Sequence, residues 1–241
     1  MEVLKPSIFD GHPVMAGMSM RGSHEKYPPH GYTFRQIGDM HTNEFAIHSR
    51  ALEQEIGSGI GKSIVSLQQV HGDNIYQAED IESNQGDGIF TQNNDITIAV
   101  SLADCCGIVF YDIRNKIIMI LHSGWRGTKE QIGPKGISIL AEKHGSYPED
   151  LLVWLTPCAG KETYTVGSEF VELFPNHVKS KGTQAFVFDL QGAIQDSLIQ
   201  SGVKESHIEA HGVCTITDQR FHSYRRDGNK GRNVAFITLA G

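Results

Sequence analysis

The sequence predicts an α/β fold of mixed sheets with helices packed outside, in a single domain. Three observations predict it. Short runs rich in Ile and Val recur along the chain, each too short for a helix and bounded by turn residues. They cluster in groups instead of alternating regularly with helices, which disfavours doubly wound and barrel folds. The chain of 241 residues, 39% hydrophobic and 8% aromatic, can bury a sizeable core without a second domain, and no tandem repeat or low-complexity tract divides it.

In chain order, strands are expected at 7–9 and 14–18, then a loop at 22–31 where Pro28-Pro29 forbids a regular helix. Residues 42–56 place Phe45, Ile47, Leu52 and Ile56 at helical spacing, with Thr42 or Asn43 as N-cap and Gly57 as stop. Gly57, Gly59 and Gly61 alternate as in a phosphate loop, but Lys62-Ser63 leads into strand residues, so a turn is expected. A loosely alternating strand at 63–70 stops at His71-Gly72-Asp73. From Asp95 to Gly127 three apolar runs follow one another. The second and third, at 108–111 and 117–121, flank Asp112, Asn115 and Lys116 and read as a β-hairpin centred near Ile113-Arg114, which would set Cys105 across from His122. Residues 128–144 read as helical, with Gly133-Pro134 kinking the helix or splitting off 135–143. A strand at 151–155, a short helix at 168–173, a strand at 185–188, an amphipathic helix at 190–201 ended by Gly202, and strands at 207–210 and 234–239 complete the pattern.

A formal net charge of −7 argues against nucleic acid or an acidic membrane as a general partner, because counterion release needs a basic surface. No apolar run approaches a membrane span, and Met1-Glu2-Val3-Leu4-Lys5-Pro6 lacks the layout of a signal peptide, so a cytoplasmic location is expected. Four cysteines, two of them adjacent, make a poor disulfide framework. Reduced thiols are expected, with Cys158 and Cys214 as structural residues.

His71, Cys105 and His122 each end an expected strand. Strand ends that converge on one sheet edge can build a Cys/His₂ site, and open zinc sites use three such ligands. The competing reading is two histidines that follow strands by chance and a small buried cysteine. Thiolate with imidazole favours zinc over magnesium or calcium, and copper accepts the same donors. Alternation along the strand turns Cys106 to the other face. Asp104 either orients a ligating histidine or caps its turn. Arg126, on a glycine-flanked loop, can hold phosphate through its planar fork or pair with a carboxylate, and Trp125 beside it fits a core position. Arg225-Arg226 offers a second anion site, with one of the pair expected to bond an internal carboxylate such as Asp227 or Asp87. A different chemistry makes Cys105 a nucleophile and His122 its base, as in a Cys/His hydrolase; a non-enzymatic binding module is a third class.

Gln69-Val70-His71-Gly72, Gly86-Asp87-Gly88-Ile89, Ala103-Asp104-Cys105, His122-Ser123-Gly124-Trp125-Arg126-Gly127 and Ser223-Tyr224-Arg225-Arg226-Asp227 resemble, in this order, the motifs of the YfiH family. Its members are labelled variously polyphenol oxidase (laccase-like) and purine nucleoside phosphorylase. The resemblance implies a layered α/β/β/α sandwich and a metal site of His71, Cys105 and His122, with zinc expected and copper as the alternative. It implies purine nucleoside and phosphate as substrates, with cleavage of adenosine, inosine, guanosine or methylthioadenosine, and adenosine deamination as an additional activity. Residues 156–167 resemble a family loop that retains Tyr164, Val166 and Gly167 but has Thr156 and Ala159 in place of family residues, which adds Tyr164 to the expected substrate contacts Arg126, Arg225 and Arg226; Cys105 and Asp104 are the expected catalytic pair. Near the N-terminus, Gly17-Met18-Ser19-Met20-Arg21 fits the family, but Thr33-Phe34-Arg35 and His48-Ser49-Arg50 stand where it carries asparagine-containing pairs. The family fold also resembles toxin-type deamidases that use a Cys–His pair. A laccase requires several coppers and many histidines at motif spacing, whereas the 12 histidines here form no His-x-His element.

Overall fold

Three consecutive strands, Ile96–Leu102, Cys106–Asp112 and Ile117–Ser123, are buried at every position, so both faces of each must be covered. That requirement sets the layering of the fold. A computed structural model describes residues 1–36, 38, 40–55, 62–182 and 185–240. The first half of the chain forms β1 (Val3–Leu4), β2 (Val14–Ser19), α1 (Thr42–Glu55), β3 (Ser63–Val65), β4 (Ile75–Gln77), β5 (Gly88–Thr91), β6 (Ile96–Leu102), β7 (Cys106–Asp112) and β8 (Ile117–Ser123). There follow α2 (Trp125–Lys129), α3 (Ile132–His144), β9 (Leu151–Leu155), β10 (Thr165–Val166), α4 (Glu169–Leu173), β11 (Val178–Ser180) and β12 (Phe186–Phe188). The chain closes with α5 (Leu190–Gln200), β13 (Ile208–Ala210), α6 (Tyr224–Asp227) and β14 (Asn233–Leu239).

A six-stranded sheet, ordered β13-β9-β7-β8-β5-β4, faces a five-stranded sheet, ordered β1-β2-β14-β6-β3; both mix parallel and antiparallel neighbours. Alternation along the strands distributes the core. Val109, Tyr111, Ile118, Ile120 and Trp154 point into the layer between the sheets, where they meet Ile98, Val100, Ala235 and Ile237. Their neighbours Ile108, Phe110, Met119, Leu121 and Val153 point the other way and pack under α3 and α5. On the far side, α1 covers the five-stranded sheet through Ala51 and Leu52 against Ala99, Val234 and Phe236. The result is the expected α/β/β/α order, with a small third sheet, β10-β12-β11, beside the helices. No helix among the described residues is long and apolar enough to cross a membrane.

Several sequence expectations shift for local reasons. Residues 7–9 form turns instead of a strand, because the Glu209 carboxylate accepts from Ser7 N, Ser7 Oγ and Ile8 N. The strand expected over 63–70 ends at Val65. Past it, the Gln69 side chain replaces a strand backbone: its amide accepts from Ser101 N (2.9 Å) and donates to Ser101 O (2.8 Å). Helix α1 runs to Glu55, with Glu44 accepting from His41 N in the manner of a capping box, so the cap falls at His41 and not at the expected Thr42 or Asn43. The expected helical residue Ile56, the stop at Gly57 and the turn through Gly59 and Gly61 lie outside the described residues. The helix after the hairpin does split, but at Glu130-Gln131, where Gln131 has φ 59°; Pro134 falls in the first turn of α3, where no N–H partner is needed. The hairpin register is displaced by two residues, so that Gly107 and not Cys105 pairs with His122. The cause is Asp112, whose carboxylate closes the turn by accepting from Arg114 N and Asn115 N. A shift of two preserves the face, and Cys105 and His122 remain on the same side of the sheet.

The inter-sheet core makes a stability prediction. Ile98→Ala should cost about 2–5 kcal/mol. Ile113→Ala at the hairpin tip, where the side chain is 38% exposed, should cost less than about 0.5 kcal/mol, as denaturant midpoints compared at equal slope would measure.

Candidate functional site

The chain passes from one sheet to the other between β6 and β7, across Ala103-Asp104-Cys105. So short a crossing needs a sharp turn, and Asp104 provides it at φ 79°, a region that residues with a Cβ rarely adopt. Distant parts of the chain hold that turn. The Asp104 carboxylate accepts from Thr215 Oγ1 (2.7 Å), Ser223 Oγ (3.0 Å) and Arg225 N (2.7 Å), and its carbonyl accepts from Ala159 N (2.9 Å). Cys105 is thereby set immediately before the start of β7, next to His122 near the end of β8.

The histidines are organised by Asp87, just before β5. Its carboxylate is buried and accepts from four donors: Val70 N (3.3 Å), His71 N (3.0 Å), Gly72 N (2.7 Å) and His122 Nδ1 (2.7 Å). Its carbonyl accepts from His122 N (2.7 Å). His71 sits at φ 62°, and the two amides gathered on Asp87 from His71 and Gly72 stabilise that left-handed turn. With Nδ1 of His122 engaged, Nε2 is left to face the thiol. Asp87, not Asp104, is therefore the carboxylate that orients a histidine, and Asp104 instead anchors the C-terminal segment. By sequence alone, the motif residue Asp87 stands out only as a partner for an arginine.

The donor atoms of His71, Cys105 and His122 lie within 4.8 Å of one another. The imidazoles meet edge to face, with centroids 4.8 Å apart. Gly124 leaves the room they need, since a Cβ there would come within 2.8 Å of Cys105 Sγ. A thiolate and two imidazoles, one of them oriented by a carboxylate, fit a divalent metal such as zinc or copper. Cys106 is turned away and fully buried under the helices.

Electrostatics reinforce the set. Burial resists ionisation of Cys105, but the charge and hydrogen bond of His122, with a further bond to His71, lower the thiol to about 6. Burial likewise resists protonation of His122, yet Cys105 and Asp87 together raise it to about 9. The Asp87 carboxyl is held below the usual carboxylate range: burial opposes this, and the bond and charge of His122 and the amides of Gly72 and His71 outweigh it.

The trio lines a cavity of about 480 Å³, within the roughly 300–1,000 Å³ usual for small-molecule sites. Trp125, Tyr164 and Tyr224 supply ring faces, and Arg35, Arg126, Arg225 and Arg232 supply charge. The Arg126 guanidinium lies over the Trp125 ring at 4.6 Å, and that of Arg225 lies over Tyr164 at 5.0 Å while donating to Thr165 O. Arg226 is elsewhere: it donates to both oxygens of Asp227 and to the carbonyls of Thr215, Ile216, Asp218 and Phe221, so its fork holds the C-terminal loop together and is not free for a substrate. Arg35, Arg232 and Gln69 also reach the cavity; Gln69 belongs to the motif that carries His71, Arg35 stands in the replaced motif at Thr33-Phe34-Arg35, and nothing in the sequence marks Arg232.

Residues 35–240 match the family model described as multi-copper polyphenol oxidoreductase laccase. Over 162 residues the chain is 32% identical to a Bacillus subtilis protein named purine nucleoside phosphorylase YlmD, a match spanning 64% of this chain and 58% of that protein. It is 31% identical over 185 residues to the Escherichia coli protein named purine nucleoside phosphorylase YfiH, covering 73% of each. The crystal structure of YlmD from Geobacillus stearothermophilus has the same fold, with a TM-score of 0.90 at 24% identity over 100% of this chain and 97% of that one.

Metal binding should be linked to protons. Between the Cys105 value of about 6 and the His122 value of about 9, the thiolate is already formed while His122 still carries its proton. Metal loading should therefore expel the His122 proton, with apparent affinity rising with pH up to that upper value, as calorimetry in buffers of different ionisation enthalpy would read. Asp87→Asn should weaken metal affinity by about 10–100-fold, measured by chelator competition.

Proposed function

The chain belongs to the YfiH family, and on that premise we propose that it is a zinc-dependent purine nucleoside phosphorylase, acting on adenosine, inosine, guanosine or methylthioadenosine, with adenosine deamination as a second activity. The observation that carries this reading is one cavity lined by both a Cys/His₂ metal-type trio and arginines. The names carried by the relatives support the reaction class.

Phosphorolysis joins a phosphate oxygen to the ribose anomeric carbon as the bond to the purine nitrogen breaks, so the protein must hold an anion in line with that bond. Arg126 is suited to holding it, being exposed, stacked on Trp125 and in no ion pair among the described residues. Arg225 supplies a second fork. Its backbone N donates to the Asp104 carboxylate and its side chain lies against Tyr164, so Asp104 acts as a positioning residue for this side of the cavity. The faces of Trp125, Tyr164 and Tyr224 offer stacking surfaces for a purine. Zinc held by His71, Cys105 and His122 would supply the Lewis-acid activation that deamination requires. Among the described residues these three form the one group of metal-ligand type, which supports a single-metal site over multicopper chemistry.

A second reading, a Cys/His hydrolase, is favoured by the mutual stabilisation of the Cys105 thiolate and the His122 imidazolium in the metal-free protein. Zinc that binds stoichiometrically and protects Cys105 from alkylation would discard it.

Product analysis on the zinc-loaded protein tests the main reading: adenosine with phosphate should yield adenine and ribose 1-phosphate, and adenosine alone should yield inosine. Cys105→Ala should abolish both reactions. Arg126→Ala should slow phosphorolysis by about 100-fold and deamination only a few-fold, with circular dichroism verifying the fold. Equal loss of both would make Arg126 structural.

A further inference from the structure

The arginines of the cavity are not equivalent. Arg126 and Arg225 are exposed, whereas Arg35 and Arg232 are half-buried and share the cavity wall with Gln69 and Ser101. The half-buried pair comes from opposite ends of the chain and is locked into one unit: Phe34 N donates to Arg232 O (3.0 Å), and Arg232 N donates to Thr33 Oγ1 (2.9 Å). Neutral acceptors then orient each guanidinium. Arg35 donates to Leu67 O (3.0 Å) and Gln69 Oε1 (3.4 Å), and Arg232 to Gly231 O (2.7 Å) and Asn229 Oδ1 (2.8 Å).

Neither guanidinium meets a carboxylate in an ion pair among the described residues, although Arg220, Arg226 and Arg21 do elsewhere in the chain. Burial disfavours the charge of Arg232, and the nearby charge of Arg35 disfavours it further. Asp87 partly offsets the charge of Arg35, and Cys105, Tyr224 and Asp104 that of Arg232, but like charges that are half-buried, oriented and without a carboxylate at ion-pair distance among the described residues still gain from an anion placed against their donors.

We propose that Arg35 and Arg232 form an anion subsite, separate from the Arg126 fork, that takes a phosphoryl group carried by the substrate, so that the cavity accepts a purine nucleoside 5′-monophosphate. The proposal rests on the phosphorolysis reading only in leaving Arg126 to the attacking phosphate. In that reaction an oxygen of hydrogen phosphate bonds to the anomeric carbon. The bond to the purine breaks, and the purine leaves with the electron pair and takes up the phosphate proton. The products are the free base and ribose 1,5-bisphosphate, the 5′-phosphoryl group being unchanged.

The test is calorimetric titration of the zinc-loaded full chain with adenosine 5′-monophosphate, adenosine and inorganic phosphate. The monophosphate should bind at least about tenfold more tightly than adenosine, the return expected from one charge-assisted hydrogen bond. Arg35→Gln and Arg232→Gln should each bring that ratio towards one, and Arg35→Lys should keep part of it. Equal affinities in the unaltered chain, a comparison that needs no variant, would overturn the proposal. Two inorganic phosphates bound per chain with no preference for the monophosphate would also overturn it and give the subsite to free phosphate. Turnover separates the two readings. Preference for the monophosphate without phosphorolysis of either compound sinks the phosphorylase and leaves the subsite standing, while phosphorolysis of adenosine without that preference does the reverse.

Discussion

The carboxylate of Asp87 is the interaction on which the rest of the site depends. A buried carboxylate is costly unless its lone pairs are used, and here four donors from two parts of the chain use them. By accepting from the amides around His71 it stabilises a backbone conformation that a histidine would otherwise avoid. By accepting from His122 Nδ1 it selects the tautomer and ring orientation that turn Nε2 towards Cys105. Because its carbonyl also accepts from His122 N, the strand and the loop that carry the two histidines are fixed relative to one another through a single residue.

The position of the site follows from how the sandwich is threaded. β6 and β7 are consecutive in sequence but belong to different sheets, so the chain must cross the inter-sheet layer within three residues. Asp104 makes the crossing possible and at the same time gathers Thr215, Ser223 and Arg225 from the far end of the chain. The Cys105 thiol and the arginine-bearing wall are therefore assembled by the same turn. The crossing explains why two adjacent cysteines have unrelated surroundings: Cys105 opens to the cavity, while Cys106 is sealed beneath the helices.

Local charge departs from global charge. The chain is acidic as a whole, yet its cavity brings together Arg35, Arg126, Arg225 and Arg232 beside a thiolate and an imidazolium. Net charge governs encounters with large polyanions, whereas recognition of a small anion depends on the few donors that converge within hydrogen-bond reach. A basic cavity can thus sit within an acidic chain.

Although the short strands β1, β4, β5, β10 and β11 were not legible in it, the sequence by itself determined the long central strands, the alternation of their faces and the three residues whose donor atoms converge. Those features are local. Period-two patterning put Cys105 and His122 on one face and Cys106 on the other, and even a hairpin register displaced by two residues kept that parity. Turn residues marked most element ends, with misplacements at 7–9, at 66–70 and around Pro134, where distant side chains or a tolerated first-turn proline decided the outcome. Tertiary structure alone decided which carboxylate serves the histidines and which arginines reach the cavity. Asp87 is separated by 35 residues from His122, and Arg35 joins Arg232 only because the two ends of the chain meet on the five-stranded sheet. Arg225 and Arg226 are adjacent in sequence and chemically identical, yet one lines the cavity and the other is spent on Asp227 and four carbonyls, a difference set by the direction each side chain takes from the short helix α6. Residue type and spacing carry no information about such directions until the chain has closed on itself.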